Sequence, residues 1–211
     1  MEFVGFPKNS DPIIESSLKM ICSNILDRRY KVIGITSVDS SEGKSTLSAN
    51  IAVTLHELGK NVLIVDCDLF SPGQHELFGM ENIGIMESII EDSNRDPMIV
   101  TKRSLKIQHV KLGLDLLAPG ESSNTFPINL IDSSRITEML DEVKPNYDYI
   151  IFDTPPMELL CRVRKLLIYI ESMIVLIPNE KINVKELRNI KEIAEKNNIN
   201  IMGHVLNMVR M

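Results

Sequence analysis

The side chains best suited to chemistry lie close together near the start of the chain. Residues 31–50 read KVIGITSVDSSEGKSTLSAN: an apolar run, a small polar loop, then a helical pattern opening on Gly43, Lys44, Ser45 and Thr46. That order suits a bound phosphate. Loop N–H groups turn inward, and a helix N-terminus adds about +0.5 of an elementary charge. Lys44 can reach terminal phosphates and the Ser45 hydroxyl can reach Mg²⁺. The strict P-loop pattern puts a glycine five residues before Gly43, where this chain has Val38. Gly-Lys-Ser also occurs at ordinary helix starts, so the acids further along decide the matter.

Those acids are Asp66 and Asp68, in NVLIVDCD, and Asp153, in YDYIIFD. Each follows an apolar run. One lysine and three acids at strand ends fit a nucleoside triphosphate with Mg²⁺, which takes hard oxygen ligands and keeps several waters. Ser45 can ligate the ion directly, while Asp68 and Asp153 hold its waters. Asp66 can orient an attacking oxygen or take its proton. Positioning and electrostatics supply most of the catalysis in phosphoryl transfer. Taken singly, Asp66 and Asp68 also suit a turn after a strand, and Asp153 a cap.

The elements that must hold these groups follow from apolar periodicity. Asp11 as N-cap and Pro12 open a helix over 12–26, with Ile14, Leu18, Ile21 and Ile25 on one face. A second helix follows the loop, carries Leu47, Ile51, Leu55 and Leu58 on one stripe, and stops at Gly59. Further helices are predicted over 86–90, 127–143, 159–170 and 184–197. Strands are predicted at 31–37, 61–65, 114–118, 147–153, 173–177 and 199–206. Residues 69–80 read mostly as loop, and 91–108 carry no pattern. An irregular arm over 1–11 thus precedes one domain over 12–211. The alternation gives an α/β, three-layer P-loop NTPase fold with a mainly parallel sheet. Such sheets bind ligands at the carboxyl ends of their strands, so Gly43, Lys44, Ser45, Asp66, Asp68 and Asp153 should meet on one edge.

Composition bounds the partners. Of 211 residues 44% are hydrophobic but only 5% aromatic, so the core rests on Ile, Leu, Val and Met. Twenty-three basic against 29 acidic residues leave a net charge of −6, which argues against nucleic acid and anionic membrane as general partners. Cys22, Cys67 and Cys161 are far apart and suit reduced thiols in a cytoplasm, with Cys67 in the core. No run resembles a signal peptide or spans a bilayer; Arg162, Arg164, Lys165 and Glu171 interrupt the most apolar region. His56 reads as a surface residue, and His75, His109 and His204 have no metal spacing with the cysteines.

TSVDSSEGKSTLSANIAVTL, NVLIVDCDLFSPGQHELFG and YDYIIFDTPP resemble the P-loop, second acidic motif and Walker B motif of the bacterial tyrosine kinases, the BY-kinases of capsule and exopolysaccharide assembly. The resemblance runs from about Pro12 to Arg210. It implies a Mg-ATP-dependent protein-tyrosine kinase, akin to the partitioning and septum-placing ATPases. Lys44 would contact the β- and γ-phosphates, with Glu42, Gly43 and Thr46 around them. Ser45 would bind Mg²⁺, Asp68 and Asp153 would organise the metal and its waters, and Asp66 would activate the tyrosine hydroxyl. Asn207 stands where relatives contact adenine, and equally where a strand-end turn residue would stand. The resemblance also implies a homo-oligomeric ring, a cytoplasmic place at the inner face of the membrane, and a transmembrane chain-length-regulator-type adaptor as activator.

The chain departs from the family pattern at several positions. Ser40 and Ser41 replace Pro-Gly in the loop, and Phe70 replaces an arginine. Arg162 replaces an aspartate, and Cys22 the second of two basic residues of the first helix, where Lys19 fits the first. No tyrosine follows Tyr169, so the family's tyrosine-rich tail is not expected. Two alternatives therefore stand beside the kinase: an ATP-binding regulator of polysaccharide export with weak or no catalysis, and a partitioning-type ATPase. The latter uses a lysine where this chain has Asp39.

Overall fold

A computed structural model describes residues 12–93, 105–121, 134–163, 167–178 and 184–207. The arm over 1–11, the Asp11 cap and the Pro127 helix start lie outside them, as do the Cys161 and Arg162 side chains.

The strands are β1 (Val32–Ser37), β2 (Val62–Asp66), β3 (Gln108–Lys111), β4 (Leu114–Leu117), β5 (Tyr149–Asp153), β6 (Ser172–Pro178) and β7 (Asn200–Asn207). They form one sheet in the order β3-β4-β2-β5-β1-β6-β7. Every pairing is parallel except β3 with β4. The helices are α1 (Pro12–Leu26), α2 (Lys44–Glu57), α3 (Gln74–Phe78), α4 (Ile85–Ser93), α5 (Ser134–Val143) and α6 (Val184–Lys196). Alternate strand residues face opposite layers. Ile33, Ile35, Ile64 and Ile151 pack with Cys22, Ile25, Ile51 and Leu55 on the α1–α2 side. Val32, Leu63, Val65 and Phe152 pack with Ile89, Ile136, Leu140 and Ile190 on the other side. The expected three layers are present, and the central strands are buried on both faces, as parallel strands should be.

Four expectations need correction. Residues 69–80 contain α3, closed by Gly79 in the left-handed conformation at φ +64°. The polar stretch ends in β3, an edge strand whose Gln108 and Val110 are half-buried and whose His109 and Lys111 are exposed. An edge strand pairs through its backbone and needs no apolar run. Of the helix expected over 159–170, the described first part lies in a 3₁₀ segment, Met157–Val163, in which the Leu159 N–H donates to the Pro156 carbonyl, while Leu167 is helical. His56 is half-buried rather than on the surface, beside Gly113 of the β3–β4 turn.

Candidate active site

β1 is an inner strand of the sheet, between β5 and β6, and delivers the loop of residues 38–43 to the carboxyl edge. Asp153 lies beside Ile35 on one side and Asp66 on the other, so three strand ends meet there. The Cys67 N–H donates to the Asp153 carbonyl, and the Thr154 N–H to that of Ile35. The sheet register therefore brings Asp66, Asp68, Asp153 and the start of α2 together, as the sequence predicts.

The loop has the shape that a phosphate requires. Gly43 precedes α2 at φ +90° with no side-chain cap, so the first α2 N–H groups point out unpaired by it. A Cβ there would stand 2.7 Å from Asn207 Nδ2. Ser41, where the BY-kinase pattern carries glycine, adopts φ +62°. The serine thus takes the left-handed conformation despite its Cβ, and the loop closes without the family's glycine. Val38, the other departure, is buried in the core rather than in the cradle. The Ser37 hydroxyl donates to the Asp39 carbonyl at 2.7 Å and steadies the turn.

Beside this loop opens a cleft of about 320 Å³ lined by Ser40, Ser41, Gly43, Lys44, Ser45, Thr46, Asp68 and Phe70, among others. Two larger depressions, of about 550 and 640 Å³, lie along α6 and at the β3–β4 turn. Neither has a loop of inward N–H groups, so chemistry singles out the smaller cleft. Lys44 is only 7% exposed, and its Nζ donates to Asp68 Oδ2 at 3.1 Å. A buried ammonium needs such a partner. Asp68 Oδ1 also accepts from the Ser71 N–H, at 3.1 Å.

Asp66 sits at the end of β2, beneath the cleft residues rather than among them. It is wholly buried and does not line the cleft. Its Oδ1 accepts the Asp68 N–H at 3.0 Å, and its Oδ2 accepts those of Gly73 and Gln74 at 3.0 and 3.1 Å. The carboxylate clamps the loop from β2 to α3, and the acid that reaches the cleft is Asp68. Burial, and then the neighbouring Asp153, push the Asp66 carboxyl up, while its three N–H donors resist. Asp153 is also pushed up by burial, against the pull of Lys44.

Asp153 is held on both oxygens. Ser48 donates to Oδ1 at 3.2 Å, and Gln74 Nε2 to Oδ2 at 2.7 Å. The Ser45 hydroxyl also pulls the Asp153 carboxyl down, against its burial. Sequence reasoning missed Gln74, which lay in a stretch read as loop. Asn207 Nδ2 donates to the Glu42 carbonyl at 2.8 Å, so the end of β7 braces the loop. The Glu42 side chain is buried, and Glu42 is not among the residues that line the cleft.

No three His, Cys, Asp or Glu side chains converge as a ready metal site among the described residues. The gathered donors are instead the Ser45 hydroxyl, two carboxylates and the Gln74 amide. Hard oxygens of this kind, with room left for phosphate and water, fit Mg²⁺.

The comparisons with known proteins agree with this geometry. The ParA family model, described as an NUBPL iron-transfer P-loop NTPase, matches residues 29–211. CapB of Staphylococcus aureus, named as a tyrosine-protein kinase, is 31% identical over 199 residues, covering 92% of this chain and 84% of its own. The tyrosine-protein kinase YwqD of Bacillus subtilis is 30% identical, covering 86% and 74%. The crystal structure of the chimerical protein CapA2B2 superposes with a TM-score of 0.78 at 30% identity, covering 97% of this chain and 88% of that one. The chain is therefore a member of the bacterial tyrosine-protein kinase family within the ParA-like P-loop NTPases.

Proposed function

We propose that this chain binds Mg-ATP in the P-loop cleft and transfers the γ-phosphoryl group to a protein tyrosine. The observation that carries the reading is the buried Lys44–Asp68 pair at the mouth of the loop. Arriving phosphates compete for Lys44 and release Asp68 into the cleft. The bond from the γ-phosphorus to the β–γ bridging oxygen breaks, and a bond to the tyrosine oxygen forms. ADP leaves, and the tyrosine proton passes to Asp68. Ser45, with Asp68 and Asp153 through water, would hold Mg²⁺, which neutralises charge on the phosphate oxygens. Asn207 lies next to the loop and is suited to the edge of the adenine ring.

The names of CapB and YwqD support the tyrosine as acceptor. We place the chain on the cytoplasmic side of a membrane, held by a chain-length-regulator-type adaptor. Among the described residues no helix is long and apolar enough to cross a bilayer. Exposed Ile14 and Met20 on α1 favour self-association.

The test is incubation of the purified chain with Mg-ATP and a tyrosine-containing acceptor protein. Phosphotyrosine should form with wild type and be absent with Lys44→Met. Phosphotyrosine that survives the substitution would reject the site. A second reading, a nucleotide-binding regulator without transfer, is favoured by one observation: both Asp66 oxygens are engaged by backbone. It predicts an ATP-induced rise in Tm with no phosphotyrosine. Asp39 in place of the partitioning lysine disfavours the third.

A further inference from the structure

Gln74 opens α3 and is wholly buried against the first turn of α2. Its Nε2 donates to the Ser45 carbonyl at 2.9 Å and to Asp153 Oδ2 at 2.7 Å. Both partners are acceptors, so the nitrogen must occupy that branch of the amide and the oxygen the other. That oxygen, Oε1, is buried and has no hydrogen-bond partner. Buried amide oxygens are nearly always satisfied. With Nε2 fixed by two bonds, the amide cannot turn Oε1 elsewhere without losing both.

The surroundings say what satisfies it. A Cβ on Gly73 would lie 3.7 Å from Ser45 Oγ, so residues 73–74 run directly past the hydroxyl assigned above to the metal. Asp153, which Gln74 holds, is the buried carboxylate at the same strand edge. Neither contact serves α3 itself, because Asp66 already accepts the Gly73 and Gln74 N–H groups. Nor is Gln74 needed to keep Asp153 in place on its other oxygen, which Ser48 holds. Gln74 therefore joins two residues of the metal site through Nε2 and carries one further hard oxygen that no protein group satisfies. It does so without adding a third negative charge next to Asp66 and Asp153.

We propose that Gln74 is a positioning residue for the divalent cation: its Nε2 fixes Ser45 and Asp153, and its Oε1 accepts a hydrogen bond from water carried by the ion. This rests on the reading of the cleft as a Mg-nucleotide site. It makes α3 a wall of that site, joined to the P-loop by one amide.

The experiment measures ADP affinity of the full chain by calorimetry, once with Mg²⁺ and once with EDTA. Wild type should bind ADP more tightly with Mg²⁺. In Gln74→Met, which keeps length and loses both polar atoms, affinity should fall more with Mg²⁺ than in EDTA, so that the Mg²⁺ enhancement drops by about tenfold or more. Gln74→Glu keeps the length and an oxygen but loses both Nε2 donors and sets a carboxylate against Asp153, so its Mg²⁺ enhancement should also fall below that of wild type. Mn²⁺ affinity of the ADP complex, read by electron paramagnetic resonance, should follow the same order. A Met variant that weakens ADP equally in both buffers, or leaves both unchanged, would overturn the proposal. If the Met variant does not fold, an unchanged Mg²⁺ response in Gln74→Glu would do so. Wild type that binds no ADP in either buffer would reject the nucleotide reading instead.

Discussion

Ser41 and Asp68 carry the two local tensions of the P-loop, and each yields a prediction. A left-handed backbone costs a residue with a Cβ about 1–2 kcal/mol. Glycine at Ser41 removes that cost but adds roughly 0.5–1 kcal/mol of freedom to the unfolded chain. Ser41→Gly should therefore raise stability in urea by about 0.5–1 kcal/mol, with ATP affinity equal or higher. Asp68 shields a buried ammonium, and breaking a buried pair costs on the order of 3 kcal/mol. Asp68→Asn should lose about that much without ligand. ATP, which supplies the missing negative charge, should then raise its Tm more than that of wild type. Lys44, Ser45 and the three acids were legible in the sequence because motif order and strand ends place them. The three N–H partners of Asp66 were not, because they belong to a loop whose path no local pattern encodes. Gln74 was hidden for the same reason: its partners, Ser45 and Asp153, are remote in sequence.

Among the elements, β1 depends on a residue outside it. Glu171, just before β6, accepts the Lys31 N–H at 2.7 Å and pairs with Lys144 at 2.8 Å. Burial alone would push this carboxyl up, but Lys144 and the Lys31 and Val32 N–H groups hold it below its usual value. A lowered carboxyl stabilises the fold above the unfolded-state value, and that contribution is lost as pH falls through the folded one. Glu171→Gln should thus cost about 1 kcal/mol near neutral pH, discounted for its partial exposure. The difference from wild type should shrink as pH falls through the lowered folded-state value, as read by urea unfolding at each pH. Most elements were legible: α1, α2, α6 and the six predicted strands have strong periodicity. β3 was not, since an exposed edge strand alternates polar residues. α3 was not, because its N-terminal cap is Asp66, a residue on another element.

At the scale of the whole molecule, a mainly parallel sheet with β1 among its inner strands gathers groups from residues 37 to 207 onto one edge. That convergence was predictable from strand alternation alone, because such sheets bind at their carboxyl ends. What sequence could not supply was the state of the cleft. Lys44 is engaged with Asp68, and Ser41 and Gly43 turn the loop through the left-handed conformation. On the proposed function, ligand binding exchanges one partner of Lys44 for another. The central claim is that Lys44 anchors nucleotide phosphate in this cleft. Its most direct test is calorimetric titration of Mg-ATP into folded wild type and folded Lys44→Met, with Tm recorded for both. Charged hydrogen bonds contribute about 1.5–3 kcal/mol, so the variant should bind roughly tenfold to a hundredfold more weakly. Equal affinity in the two proteins would contradict the account.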